Sequence, residues 1–260
     1  MLAKHAKKDA KLAAAANNQG RPQISVLLFE SVTRPAHLLV SEPVVFFLAL
    51  WSSFAFGLVF ISTQSVAQVY STNYAFSDAA SGLVQVALFI GEIVGFVACL
   101  PQNTYYQHSA TRNQVEPGIA IPESRLLLSI PAGLIGLAGG LFVYAWTSFP
   151  SLHWMIPTIG LALVGFGIMA IVTTVGLYIT DSYAKFAGSA IAAVAFGENI
   201  FAAWLPLAAK SMYTVLGFQW ASSLLGFVAL VLGLAPIVLF FKGEKIRQTS
   251  KFINKASYAS

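Results

Sequence analysis

A single cysteine, Cys99, in 260 residues leaves this chain without a disulfide framework. No Asn-x-Ser/Thr acceptor occurs either, so the usual mark of a glycosylated surface loop is missing. Charge is scarce: 10% of residues are Asp, Glu, Lys or Arg against 57% hydrophobic, and the mean hydropathy is +0.72. So little polar surface cannot cover a water-soluble globule of this length, and lipid must cover the rest. His5, His37, His108 and His153 are scattered over termini and loops with no partners at metal-ligand spacing, which argues against a zinc site. No cofactor is expected.

What the chain has instead is long apolar runs. Pro43 to Ser77, Leu126 to Thr180 and Ser211 to Phe241 carry no charged residue, and Ala79 to Cys99 and Phe186 to Ala209 are each broken by one Glu. A helix needs about 20 such residues to cross the hydrocarbon core. Backbone groups find no water there and must bond internally, and spanning helices tolerate the Gly and Pro found within these runs. The expected fold class is an all-α membrane protein. Six transmembrane helices are predicted, at 43–66, 79–101, 126–148, 154–179, 186–209 and 217–241. The longest run is split at the turn-like Ser148, Phe149, Pro150 and Ser151. A linker-like segment 1–42 precedes the helical domain 43–241, and a basic tail 242–260 follows it.

An even number of spans puts both termini on one face, together with loops 102–125 and 180–185. Fourteen of the fifteen Lys and Arg residues fall there: Lys4, Lys7, Lys8, Lys11, Arg21, Arg34, Arg112, Arg125, Lys185, Lys242, Lys245, Arg247, Lys251 and Lys255. Only Lys210 falls opposite. Basic loops mark the cytoplasmic side, so a multi-pass protein with both termini in the cytoplasm is expected. Topology then explains the net charge of +5, and nucleic acid is not an expected partner. Residues 1–42 are polar and charged, so the first apolar window is expected to act as an uncleaved signal anchor.

One enzyme-style pattern occurs, Gly165-Phe-Gly167-Ile-Met-Ala170. It spells the dinucleotide fingerprint but follows no strand and lies inside the fourth span. Close helix packing is the better reading, and Gly91 with Gly95 and Gly136 with Gly140 repeat the small-xxx-small spacing. Pro206 and Pro236 are expected to interrupt hydrogen bonding in the last two spans. No nucleophile, metal or carboxylate constellation faces a common loop, so the chain is not read as an enzyme.

Glu92 and Glu198 are the ionisable side chains deep within the predicted spans. A charge at the helix centre costs roughly 2.5 to 3.5 kcal/mol even on the gentle insertion scale, so each carboxyl must be protonated, paired or facing a wet cavity. With no intramembrane Lys or Arg, desolvation favours the protonated form. A Glu that changes charge as its cavity opens to alternate sides is a candidate proton carrier; a neutral carboxyl bonded to a neighbouring helix is the alternative. Counted as two triplets, the spans place each Glu on a second helix running in opposite directions, the pattern of two inverted three-helix repeats.

Several stretches in order resemble a known family. Arg34-Pro35 followed by Ser41-Glu42-Pro43 resembles the lead-in to a seventh helix, and PESRL at 122–126 resembles the cytoplasmic signature before a ninth. YITDSYAKFAGSAIAA at 178–193 resembles the join of the tenth and eleventh, and LPLAAKSMYTVLGFQWASSLLGF at 205–227 with Gly243, Ile246, Arg247 and Ser250 completes the pattern. The family is the fungal drug:proton antiporter branch of the major facilitator superfamily, of the twelve-span multidrug or polyamine type, and the resemblance is to its carboxy-terminal half. It implies one half of a twelve-helix fold, with substrate and protons handled in a cavity between halves, and a plasma-membrane location. The charged motif and the antiporter motif usual in the amino-terminal half do not occur. Residues 1–33 resemble the central linker, which implies a truncated or split gene product. Many relatives carry Arg where Glu198 stands, and others resemble the Gly197-Glu198-Asn199 sequence here.

Glu123, Arg125, Asp181 and Arg247 are expected to gather as gate parts at the cytoplasmic mouth, although exposed pairs of this kind are worth only about 0 to 1 kcal/mol. Trp51, Phe54, Gln64, Asn199 and Trp204 are the candidates for a substrate cavity, which pairs aromatic walls with a few orienting polar groups. Tyr144, Trp146 and Trp154 are expected in an outer aromatic belt. Two readings follow. One is a proton-coupled efflux module for small organic or drug-like molecules, partnered by a missing amino-terminal half or by a second copy. The other is a transport-inactive fragment or accessory scaffold.

Overall fold

The computed structural model describes residues 24–113 and 118–249. Lys4, His5, Lys7, Lys8, Lys11, Arg21, Ser250, Lys251 and Lys255 lie outside the described residues. Among the described residues the architecture is entirely helical.

A leading helix α1 (Ile24–Ser41) occupies much of the segment read as linker and packs against the helices described next as α2 and α6. Glu42 separates it from α2 (Pro43–Tyr74), which opens on a proline, where a missing N–H is harmless. The polar residues Gln68, Ser71, Thr72 and Asn73 remain helical, so α2 outlasts its predicted span and ends at Ala75, in the left-handed region at φ 54°. A segment α3 (Asp78–Arg112) follows, capped by Ser77, whose Oγ accepts from the Ala80 N–H at 3.3 Å. In α4 (Pro122–Thr147) the stretch Ala132–Gly139 is a π-helix, a wider winding of the backbone. Then come α5 (Met155–Tyr183), α6 (Ala187–Leu216) and α7 (Phe218–Gln248).

Five segments are long and apolar enough to cross a membrane: α2, α3, α4, the 62-residue run Met155–Leu216, and α7. Six separate spans were expected, with 180–185 as a loop; instead α5 and α6 follow one another with only a short turn between them. The run is broken at Ala184, with φ 30° and ψ −92°, and a short 3-10 turn at Ala184–Phe186. At 1.5 Å per residue it measures roughly 93 Å, about twice a whole bilayer of some 40 to 45 Å.

Contacts fix the direction of each helix. The α5 chain starts beside the far end of α2, where the Tyr70 hydroxyl meets Thr158 Oγ1 at 2.7 Å, and finishes at the near end, where Tyr183 donates to Glu42 Oε2 at 3.2 Å. Thus α5 runs against α2. By contrast α6 runs with α2: Gly197 lies at Ser53 and Gly57 lies at Phe201 and Leu205. So α5 and α6 reverse direction at Ala184. Along α3 and α5, Gly91 meets Ala162, Gly95 meets Phe166, and Gln102 donates to Thr174 Oγ1 at 2.9 Å, a parallel pair. Segment α4 opposes α5, and α7 opposes α4.

Glycine makes these approaches possible. A Cβ on Gly91 would overlap the Ala162 carbonyl, and one on Gly165 the Leu88 carbonyl. Gly167 lies against the Leu137 backbone, and a Cβ on Gly140 would sit 2.8 Å from Gly160 O. The fingerprint-like glycines are thus packing residues. Pro206 leaves α6 unbroken, and the break near Pro236 falls one turn earlier, at Gly233.

Candidate functional site

Glu198 and Ser52 form a polar contact between α2 and α6. Gly197, the residue before Glu198, has no side chain, so α6 can settle against Ser53. That approach brings Ser52 Oγ to donate to Glu198 Oε1 at 2.6 Å, with Ser52 fully buried and Glu198 half-buried. Ser53 Oγ, against Gly197, and Trp51 Nε1, whose ring lies against Gly133 instead, are buried with no hydrogen-bond partner among the described residues. A carboxyl in this setting is held on one side by a hydroxyl and is reachable on the other.

Glu92 sits differently. Leu88, Gly91, Gly95 and Cys99 form the buried stripe of α3 against α5, while Phe89, Ile93 and Phe96 are exposed. Glu92 stands at the margin, half-buried, and makes no hydrogen bond or ion pair with the described residues. Gly165 of α5 lies against its backbone N and offers no side chain to bond.

At the end of the molecule that holds Glu42, four charged residues gather in two pairs. Arg125 Nε donates to Asp181 Oδ2 at 2.9 Å, tying α4 to α5, and Arg247 Nη2 donates to Glu123 Oε2 at 2.9 Å, tying α7 to α4. Arg125 also reaches Asn103 Oδ1 at 3.3 Å, lies 3.9 Å from the centre of the Tyr106 ring, and has its carbonyl held by Gln102. Glu123 and Arg125 are 6% and 5% exposed, so neither is an ordinary solvated surface charge. Gly243 leaves room for the Glu123 carboxylate, which a Cβ there would push aside.

At the opposite end the contacts that join the helices are uncharged. Asn73 donates to the Ser148 carbonyl at 2.6 Å, Tyr74 to the Thr147 carbonyl at 3.3 Å, and Phe76 stacks obliquely on Trp154 at 5.8 Å. Of the belt residues, Trp146 is exposed and donates to Ser223 Oγ at 3.1 Å, but Tyr144 is buried, because Gly160 lets α5 close over it.

The cavity candidates divide. Trp51 and Phe54 are buried inside the helix body, Trp51 against Gly133. Gln64 lies on an exposed stripe of α2 with Phe60 and Thr63. Asn199 and Trp204 lie on an exposed stripe of α6 with Phe196, Ile200 and Leu207, and Asn199 donates to the Ala195 carbonyl at 2.7 Å. Sequence reading named neither the Ser52 contact nor Gln102, Asn103 and Tyr106; the small hydroxyl opposite a mid-helix Glu was the available signal for the first.

No family model matches the chain, and no solved structure matches it significantly. Among curated proteins it is similar to the MFS transporter cpaT of Aspergillus oryzae, 38% identical over 228 residues, which are 87% of this chain and 45% of that protein. It is 34% identical over 239 residues to the MFS-type transporter penM of Penicillium rubens, 92% of this chain and 46% of that one. The efflux pump radE of Floropilus chiversii is 34% identical over 228 residues, 87% of this chain and 42% of the pump. The chain therefore spans a little under half the length of the curated relatives it matches.

Proposed function

We propose that this chain forms one six-helix half of a major facilitator transporter of the drug:proton antiporter branch and moves small organic molecules outward by proton-coupled alternating access. The observation that carries the reading is the matched pair of parallel interfaces, α2 with α6 and α3 with α5. In two inverted triplets, α2–α3–α4 and α5–α6–α7, these interfaces exchange with one another, and each has a Glu near mid-helix. The reversal at Ala184 supports six crossings, the basic loops support cytoplasmic termini, and the plasma membrane is the location that the family resemblance implies.

The exposed stripes of α2, α3 and α6 are the surfaces a second half would cover, whether that half is another part of a longer chain, a separate chain or a second copy. Gln64, Asn199 and Trp204 would then line the shared cavity, with Trp51 and Phe54 setting its wall from behind. Glu198 takes up and releases the coupling proton, Ser52 holds its carboxyl in place, and Glu92 is a second proton site. Breaking the Arg125–Asp181 and Arg247–Glu123 pairs opens the cytoplasmic end.

Proteoliposomes carrying the chain, alone and with a second half from a relative, test this with a fluorescent organic dye. A pH gradient is expected to drive dye movement, and Glu198→Gln to reduce gradient-driven movement at least tenfold while dye-for-dye exchange persists. Movement indifferent to the gradient, or unchanged by Glu198→Gln, defeats the coupling role. Absence of movement in both preparations favours the inactive scaffold.

A further inference from the structure

A groove of about 1280 Å³ opens between α2 and α7, away from Glu198 and Glu92. It exceeds the roughly 300 to 1,000 Å³ of a typical small-molecule site. One wall is Pro43, Phe47 and Leu50 on α2; the other is a single face of α7 running from Val231 through Val238 to Lys242 and Lys245. Phe47, Val231, Leu234 and Val238 are each about half exposed or more, so the groove is open along its length.

Its polarity is graded. The inner end, at Leu50, Val231 and Leu232, is wholly apolar, and the outer end carries His37, Ser41, Lys242 and Lys245. Among the described residues Glu42 is the one acid lining it, and that residue is 4% exposed and accepts from Tyr183. Counted along α7 from Val231 to Ile246, the groove is about 22 Å long. One leaflet with its headgroups is roughly 20 to 22 Å deep.

We infer that the groove between α2 and α7 is a binding site for an anionic phospholipid, with its acyl chains along Phe47, Leu50 and Val238 and its headgroup held by Lys242 and Lys245. Length and polarity gradient fit a lipid rather than a compact solute. The two ammonium groups, at the level of the headgroups, select negative charge.

Native mass spectrometry of the delipidated full chain, titrated with dioleoyl phosphatidylserine and separately with dioleoyl phosphatidylcholine, tests the site. The serine lipid is expected to bind more tightly. Lys242→Gln with Lys245→Gln should weaken it roughly 25-fold, about fivefold per lysine, and leave the choline lipid unchanged. Val238→Trp, which fills the groove from a half-exposed position, should weaken both lipids at least tenfold, and Leu234→Trp serves if the first variant fails to fold. Lys210→Gln, at the other end of the molecule, should change nothing. Equal binding of the two lipids by the intact chain overturns the inference. So does full retention of the serine lipid in the tryptophan variants, which would place it elsewhere, or its displacement by a small aromatic dye, which would mark a substrate pocket.

Discussion

The interface between α3 and α5 and the interface between α2 and α6 are alike in direction and opposite in chemistry. In the first, Gly91, Gly95 and Gly165 bring two backbones into contact, and Glu92 is left at the edge with no partner among the described residues. In the second, Gly57 and Gly197 face side chains, and the serine hydroxyl of residue 52 meets Glu198 at 2.6 Å. A backbone-sealed contact cannot adjust without separating, whereas one made of side-chain ends can slide. The comparison teaches that two carboxyls in similar sequence settings are not equivalent: one is held in place and the other is not.

The most severe way to break that contrast is to put a side chain into the sealed interface. In Gly165→Leu the new atoms meet the Leu88 carbonyl and the Glu92 backbone N, neither of which can rotate away. The cost should exceed the roughly 1 to 3 kcal/mol of ordinary overpacking, read as loss of the monodisperse peak in detergent. Gly57→Ala in the other interface meets the end of Leu205 at 2.6 Å and should fold with a modest fall in Tm. Equal damage from both would erase the distinction.

Next in size is Arg125→Ala. It strands Asp181, whose side chain is 19% exposed, after removing a partner that is 6% exposed. Breaking a buried pair costs roughly 3 to 5 kcal/mol, and the residual exposure of Asp181 places this loss at the lower end. Arg247→Ala strands the more buried Glu123 carboxylate, 8% exposed, but should cost less, because Arg125→Ala also gives up the bond to Asn103 and the contact with the Tyr106 ring. Thermal unfolding of the two variants checks the order, and a larger loss from Arg247→Ala contradicts it.

The smallest effects sharpen the comparison of the carboxyls themselves. Ser52→Ala should cost about 0.5 to 1.5 kcal/mol, as for one hydrogen bond in a membrane protein. Glu92→Gln should shift stability by less than about 0.5 kcal/mol, since it removes no bond. A double-mutant cycle of Ser52→Ala with Glu198→Ala should show coupling, and the same cycle with Glu92→Ala should not.

Much of the helical content was legible because the lipid requirement acts on single residues. The apolar windows announced α2 to α7, and the Gly165 to Ala170 pattern was correctly read as packing because no strand precedes it. The gathering of Glu123, Arg125, Asp181 and Arg247 at one end followed from alternating the helices across a bilayer. Helix α1, the π-helical stretch at Ala132–Gly139 and the burial of Tyr144 were not legible. Each depends on a neighbour: α1 on α6, the widened turn on what packs beside it, and Tyr144 on the glycine at 160. The junction at Ala184 reads as a loop because it is polar, yet a positive φ at one residue suffices to turn it.

By itself the sequence determined that the chain is helical and multi-pass in a membrane, because hydropathy is a property of each segment alone. Only the tertiary structure decided which face of each helix is inward. A segment that is apolar all round carries little sign of its own rotation, so whether Glu198 meets Ser52, whether Glu92 meets anything, and whether Lys242 and Lys245 border a groove are set by the packing of other helices.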